Sequence, residues 1–211
     1  MIPTALLKVN TVSFDYPKRS VFTSFSVDVL HGLTIVTGEE ACGKTSLLKL
    51  MAGQFILKEG DILLNGCSLV RDKTAYQKNI FWIDTQDAQV DQMQVNAFLS
   101  GLSGTYANWN ASILNDAIDG LALRPHIEKQ FFMLSTGTKR KVWLAAALAA
   151  CQPLTLIDDA FAGVDQQSIR FFTHALHLRL AESQDAWVIS TYNEVQGVTP
   201  LHVLDLGAGQ A

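Results

Sequence analysis

The sequence is poor in cysteine, proline and charge. Its 211 residues hold three Cys, five Pro and 17% Asp, Glu, Lys and Arg. Cys42, Cys67 and Cys151 are widely spaced, form no CxxC pair and are odd in number. That excludes a disulfide framework and fits a reducing compartment, with the thiols as small buried side chains. Proline and glycine form no linker-like stretch, and no repeat of 20–50 residues appears, so a solenoid is excluded. There is no basic excess: 16 Lys and Arg stand against 20 Asp and Glu, for a net charge of −4 and a pI near 5.7. Nucleic acid is therefore not an expected partner. The longest apolar run, Val142–Cys151, is about half the ~20 residues of a membrane span, and Pro153 follows it. Met1–Asn10 lacks the basic and apolar regions of a secretory leader, so a cytoplasmic protein is expected.

What is present is apolar residue, 48% of the chain, with mean hydropathy +0.17. At this length one large core can be buried. Alternating polarity predicts strands over Leu6–Phe14 and Phe25–Leu30, and a short apolar strand over Leu33–Val36. A helix over Lys44–Ala52 is predicted by Leu47, Leu48 and Met51. Asp61–Leu64 reads as a strand closed by the Asn65-Gly66 turn. Asn96–Leu102 and Ile113–Leu121 read as short helices broken by Gly101, Gly104 and Gly120. From residue 138 the pattern alternates: helix 138–150, strand 154–157, helix 166–182, strand 187–190, strand 202–206. Such alternation implies a parallel sheet covered by helices.

Gly38-Glu39-Glu40-Ala41-Cys42-Gly43-Lys44-Thr45 fits G-x-x-x-x-G-K-[ST] between an apolar strand and a leucine-bearing helix. Backbone N–H groups of such a turn wrap a phosphate, and the helix N-terminus adds its positive dipole end. Lys44 is placed to reach the β- and γ-phosphates, and the Thr45 hydroxyl to ligate Mg²⁺; Ser46 follows them into the helix. Glu39 and Glu40 are expected to point to solvent, since the loop offers its backbone to the ligand. The apolar strand Leu154–Ile157 ends in Asp158-Asp159. Asp158 is the candidate Mg²⁺ ligand, and Asp159 the candidate group that orients or deprotonates the attacking water.

Leu134-Ser135-Thr136-Gly137-Thr138 opens a helix with a capping serine and stands 23 residues before Asp158, counted from Ser135. It resembles the LSGGQ signature of ATP-binding cassette (ABC) proteins. Other elements follow that family's order: Tyr16 for the aromatic on adenine, Gln86 for the Q-loop glutamine, Ala162-Gly163-Val164-Asp165 for the D-loop, and Tyr192 at the switch position. The resemblance runs from about Leu6 to Leu206. Within the family, the short length and Tyr76–Ile83 look somewhat like the ATPase subunit of the cytochrome c maturation haem exporter.

The resemblance implies an α/β fold. It has a P-loop NTPase (RecA-like) core with a parallel sheet, an N-terminal antiparallel β subdomain and a small α-helical insert. Residues 1–85 and 135–211 would form β subdomain and core, and 87–134 the insert. It implies ATP and Mg²⁺ as cofactors. Residues 38–46 and Tyr16 would bind nucleotide in one chain; Ser135, Gly137 and Thr138 would bind that of a second cassette. Thr45, Gln86 and Asp158 would serve the metal, and Asp159, Gln86 and Tyr192 the hydrolysis. The partners implied are that second cassette and a separately encoded integral-membrane permease, with the chain peripheral on the inner face of the membrane. A degenerate regulatory module with little hydrolysis and a soluble ATPase unconnected to transport are the alternatives.

The sequence departs from the family at several positions. Asp159 stands for Glu, Ala160 for Pro, Tyr192 for His, Thr136 and Thr138 for Gly and Gln, and Ala41 for a Gly. Residues for binding are largely retained and those for hydrolysis changed, which implies slow turnover. Lys139-Arg140-Lys141 reads as a solvated basic face or as support for nucleotide charge. His174 and His177 lie on one helix without a third metal ligand near in sequence, and Phe98, Tyr106 and Trp109 read as core with one of them available to a partner groove.

Overall fold

The three strands that read as near-continuous apolar runs form the middle of one parallel sheet, because both its faces are covered. The computed structural model describes residues 5–83, 90–192 and 198–207. Its elements are β1 (Leu7–Tyr16), β2 (Arg19–Val29), β3 (Gly32–Thr37), α1 (Lys44–Met51), β4 (Glu59–Leu64), β5 (Cys67–Ser68), α2 (Lys73–Gln77) and β6 (Ile80–Trp82). They continue as α3 (Val95–Thr105), α4 (Ala111–Gly120), α5 (Thr136–Ala150), β7 (Leu154–Ile157), α6 (Gln166–Glu182), β8 (Ala186–Ser190) and β9 (His202–Asp205). Two sheets result: an antiparallel one ordered β2-β1-β4-β5, and a parallel one ordered β6-β7-β8-β3-β9.

Period-2 alternation divides the parallel sheet between two cores. Ala186 and Val188 of β8 pack with α1 and the antiparallel sheet. Trp187 and Ile189, on the other face, pack with α5, α6 and the inserted helices. Helix α5 is apolar almost all round from Val142 to Ala150 because it lies between sheet and insert.

The α/β architecture with an antiparallel N-terminal sheet is as the resemblance implies. Two local expectations are corrected. Gly101 and Gly104 do not break a helix; α3 runs through both, and added Cβ atoms there would meet nothing within 4 Å. Glycine weakens a helix by only about 1 kcal/mol, which packing of Val95, Phe98 and Leu99 outweighs. Strand β6 and helix α2 carried too few residues to read as elements; β6 is three residues pairing with β7.

The insert is held by an aromatic cluster. Phe131 lies 5.1 Å from Phe98 and 5.0 Å from Trp143 of α5, ring centre to ring centre. Phe98 is thus core, and Tyr106 and Trp109, partly buried, pack against the same core. Among the described residues of the insert, the exposed large apolar side chains are Met93, Phe132 and Met133. Adjacent phenylalanines therefore separate by role. Phe131→Ala should cost about 3–5 kcal/mol by denaturant unfolding. Phe132→Ala should stay within about 0.5 kcal/mol of the parent chain.

Candidate functional site

In a parallel sheet the carboxyl ends of the strands line up, and a crevice forms outside them. Here Val36 of β3 pairs with Ser190 of β8, and Ile157 of β7 pairs with Ile189. The residues that follow, Gly38 onward, Asp158-Asp159 and Thr191-Tyr192, therefore emerge along one edge. The sequence spreads them over 150 residues; the strand register gathers them.

The glycine-rich loop is shaped by three left-handed or positive-φ positions: Gly38 (φ 138°), Ala41 (φ 60°) and Gly43 (φ 109°). Gly43 also caps α1, and a Cβ there would lie 3.0 Å from Val21 and 3.1 Å from Phe22. Ala41 takes the left-handed region with a side chain, at a cost of about 1 kcal/mol. Glu39, Glu40 and Ala41 are exposed, whereas Cys42 and Gly43 are half-buried. Lys44 is buried, and its Nζ donates to the carbonyls of Gly38 (2.7 Å) and Glu39 (2.8 Å). It also sits 4.2 Å from the centre of the Tyr192 ring, a cation–π contact. Burial, with Asp158, Asp159 and Glu40 nearby, raises the Tyr192 phenol above its usual range, so it stays neutral at pH 7.

Asp158 is the junction. One carboxylate oxygen accepts from Thr45 Oγ1 at 2.7 Å and the other from Ser190 Oγ at 2.5 Å. Ser190 Oγ in turn accepts from the Asp159 amide at 2.9 Å. Asp159 has φ 49°, a conformation Asp tolerates better than most residues, and its carboxylate faces Arg140 Nη2 at 3.1 Å. Ser190 was missed in the sequence, where it read as the last residue of an apolar strand. The Thr45 and Asp158 oxygens are hard donors separated by 2.7 Å. Two adjacent ligands of an octahedral Mg²⁺ stand about 2.9 Å apart, so the pair fits that ion.

A cavity of about 210 Å³ opens over the loop, lined by Tyr16, Arg19, Lys44, Thr45, Ser46 and Tyr192 among others. Tyr16 Oη meets Ser46 Oγ at 3.1 Å, and the ring packs edge-on to Phe14 and Phe55. Arg19, which the motifs did not point to, donates Nη2 to the Ala41 carbonyl at 2.6 Å and ties β2 to the loop. Tyr16 and Arg19 also line a larger neighbouring cavity of about 780 Å³ beside Lys58.

Ser135, Gly137 and Thr138 are elsewhere. Ser135 is exposed and caps α5, its Oγ accepting from the Thr138 amide at 3.1 Å. None of the three lines the cavity over the loop. Gln86 lies outside the described residues. His174 and His177 are exposed on α6, and among the described residues no group of three or more His, Cys, Asp or Glu could hold a metal.

The basic run is corrected as well. It is no solvated face: Lys139 pairs with Asp91 (2.7 Å), Arg140 with Asp159 (3.1 Å) and Lys141 with Asp165 (3.0 Å).

A family profile described as "ABC transporter" matches residues 23–162. A protein of Pseudomonas savastanoi pv. phaseolicola, named Cytochrome c biogenesis ATP-binding export protein CcmA, is 28% identical over 212 residues, covering 100% of this chain and 99% of that one. The protein of the same name from Pseudomonas syringae pv. syringae is 29% identical, again covering 100% and 99%. In structure the chain is similar to an ATP-binding subunit of an ABC transporter, with TM-score 0.78, 20% identity and coverage of 89% and 79%. It is similar also to a putative ABC transporter ATP-binding protein from Pyrococcus furiosus, with TM-score 0.76, 22% identity and coverage of 95% and 96%. These likenesses establish the P-loop NTPase fold of the cassettes.

The loop's glycine positions give two opposed expectations. Gly43→Ala, with φ 109° and a Cβ only 3.0–3.1 Å from the Val21 and Phe22 side chains, should destabilise the chain by about 2 kcal/mol. Ala41→Gly removes left-handed strain and should raise stability by up to about 1 kcal/mol. Nucleotide-free thermal unfolding of both variants checks the pair.

Proposed function

The chain belongs to the ABC transporter family as an ATP-binding subunit, and from that premise we propose that it binds Mg-ATP over the 38–45 loop and hydrolyses it slowly to drive a separate membrane permease. The Thr45–Asp158 contact carries the reading: two hard oxygens at 2.7 Å, beside a buried lysine. Thr45 and Asp158 would hold Mg²⁺, which supplies charge neutralisation at the phosphate oxygens.

Lys44 gives up two carbonyl partners and the Tyr192 face for phosphate oxygens, a stronger charge-assisted contact. Tyr16, exposed at the cavity rim, offers a ring to adenine. Asp159 orients the attacking water. Its carboxylate is about 1.5 Å shorter in reach than that of a Glu, and a misplacement near 1 Å costs on the order of a hundredfold in rate. Tyr192 donates one hydrogen bond to the γ-phosphate without the positive charge of an imidazolium.

Ser135, Gly137 and Thr138 are read as serving the nucleotide of a second cassette, because Ser135 and Thr136 are exposed and none of the three lines the chain's own loop cavity. End-to-end similarity to the CcmA proteins, whose name speaks of export in cytochrome c biogenesis, supports the same kind of exporter as the partner. Among the described residues no helix is long and apolar enough to cross a membrane, so the reading assigns that span to another chain. Retention of the chain by a multi-span membrane protein on co-purification is the expected result.

Two measurements test the chemistry. Equilibrium titration with Mg-ATP should show Lys44→Ala binding at least tenfold more weakly; equal affinity in both proteins would end the assignment. Single-turnover hydrolysis should rise in Asp159→Glu and rise further with Tyr192→His added. ATP affinity should stay within about threefold, roughly 0.6–0.7 kcal/mol. A fall in rate on Asp159→Glu contradicts the proposed role of that residue.

A further inference from the structure

The first two turns of α5 are attached to the 158–165 segment by three separate contacts. Gly137 stands so close to Gly163 that a Cβ would lie 2.0 Å from the Gly163 carbonyl oxygen. Arg140 reaches the Asp159 carboxylate (3.1 Å) and the Asp158 carbonyl (3.3 Å). Lys141 reaches Asp165 (3.0 Å), which caps α6 through the Ser168 amide at 2.8 Å. The same α5 turns are attached on their other side to the insert, through Lys139 and Asp91.

Arg140 differs from its neighbours in what it holds. The Arg140 and Asp159 side chains are 14% and 28% exposed, a shielded pair beside two lysines whose partners are more open. The Asp159 backbone is already fixed by its amide bond to Ser190. Its carboxylate direction is the remaining freedom, and Arg140 takes it. Arg140 Nε is buried with no hydrogen-bond partner among the described residues, so the guanidinium acts on this loop through its terminal nitrogens.

We propose that Arg140 is a positioning residue that restrains hydrolysis: it holds the Asp159 carboxylate toward α5 until the exposed N-terminus of that helix is moved by a bound ligand. The inference rests on the assignment of Asp159 to hydrolysis in the proposed function. The guanidinium fixes the direction of the carboxylate through Oδ2, so the acceptor sites that remain are offered along that direction and not turned toward a water over the loop. An α5 shift of about 1 Å suffices to break a contact of this length. Occupation of the Ser135 end of α5 would thereby release the acid in the same chain, linking two sites through one helix.

The test compares the parent chain with Arg140→Gln, Arg140→Lys, Asp159→Asn and the Arg140→Gln/Asp159→Asn double variant. Mg-ATP affinity and single-turnover hydrolysis are measured on each as the isolated chain, and far-UV circular dichroism reports folding. Arg140→Gln should raise the rate at least fivefold with affinity within about twofold. Arg140→Lys, which keeps a cation, should stay near the parent rate. The double variant should be as slow as Asp159→Asn alone, because the gain passes through Asp159. An unchanged or lower rate in folded, ATP-binding Arg140→Gln overturns the restraint. An equal gain in the Asp159→Asn background overturns its route. Absence of Mg-ATP binding by the parent chain, in contrast, overturns the proposed function itself. Should Arg140→Gln fail to fold, the restraint is judged on Arg140→Met, with the same two outcomes.

Discussion

The Asp158 carboxylate is the point on which the site depends. One oxygen takes the Thr45 hydroxyl from the start of α1, and the other takes Ser190 from the end of β8. Three elements distant in sequence, the loop after β3, the end of β7 and the end of β8, are thus referred to one side chain. A partly buried carboxylate with two hydroxyl donors is satisfied without a cation, so the site keeps its shape without ligand. A metal ion held by Thr45 and Asp158, as proposed, would replace the Thr45 bond and leave the Ser190 bond that orients the group. The register of β3, β7 and β8 makes this possible, since a slip of one residue in β8 would turn Ser190 to the opposite face.

Lys44 is held in the same spirit. Its ammonium is buried yet has two carbonyls and an aromatic face as partners. A buried cation without partners would be costly. Those partners are neutral, so an incoming phosphate oxygen competes well against them. Tyr192 covers with its ring face the lysine that the proposed function assigns to the phosphates, a contact an imidazole would make differently. Under the proposed function, this departure from the family pattern would act on the approach of the ligand as well as on the reaction.

Most of the fold was legible because two periodicities were clean. Strand β7 and helix α6 have the bounds that period and flanking residues predict, and β3 differs by a residue at each end. The short elements were not legible: β6, with three residues, owes its strand to pairing with β7, a long-range contact no local pattern encodes. The glycines of α3 misled for the converse reason, since propensity is local and the packing of Phe98 and Leu99 is not. In the site, the loop, Asp158 and Asp159 were visible as motifs. Arg19 and Ser190 were not, because each acts through a backbone or side-chain partner that only the folded chain brings near. The basic run 139–141 was visible but misread, since its three carboxylate partners are 48, 19 and 24 residues away.

Those three ion pairs tie the polar half of α5 to its surroundings. Each pair is partly exposed and individually worth little. Each nevertheless joins α5 to a different neighbour: Asp91 in the insert, Asp159 at the sheet edge, and Asp165 at the cap of α6. Their effect is geometric. The packing energy of α5 comes from its apolar half, from Val142 onward, which lies between sheet and insert. In the polar half, from Thr136 to Lys141, the exposed and half-buried positions can therefore vary at small cost to stability, whereas Gly137 cannot, since a Cβ there would lie 2.0 Å from the Gly163 carbonyl oxygen. Function that needs movement is best placed there, at the low-stability end of a helix whose other end is fixed.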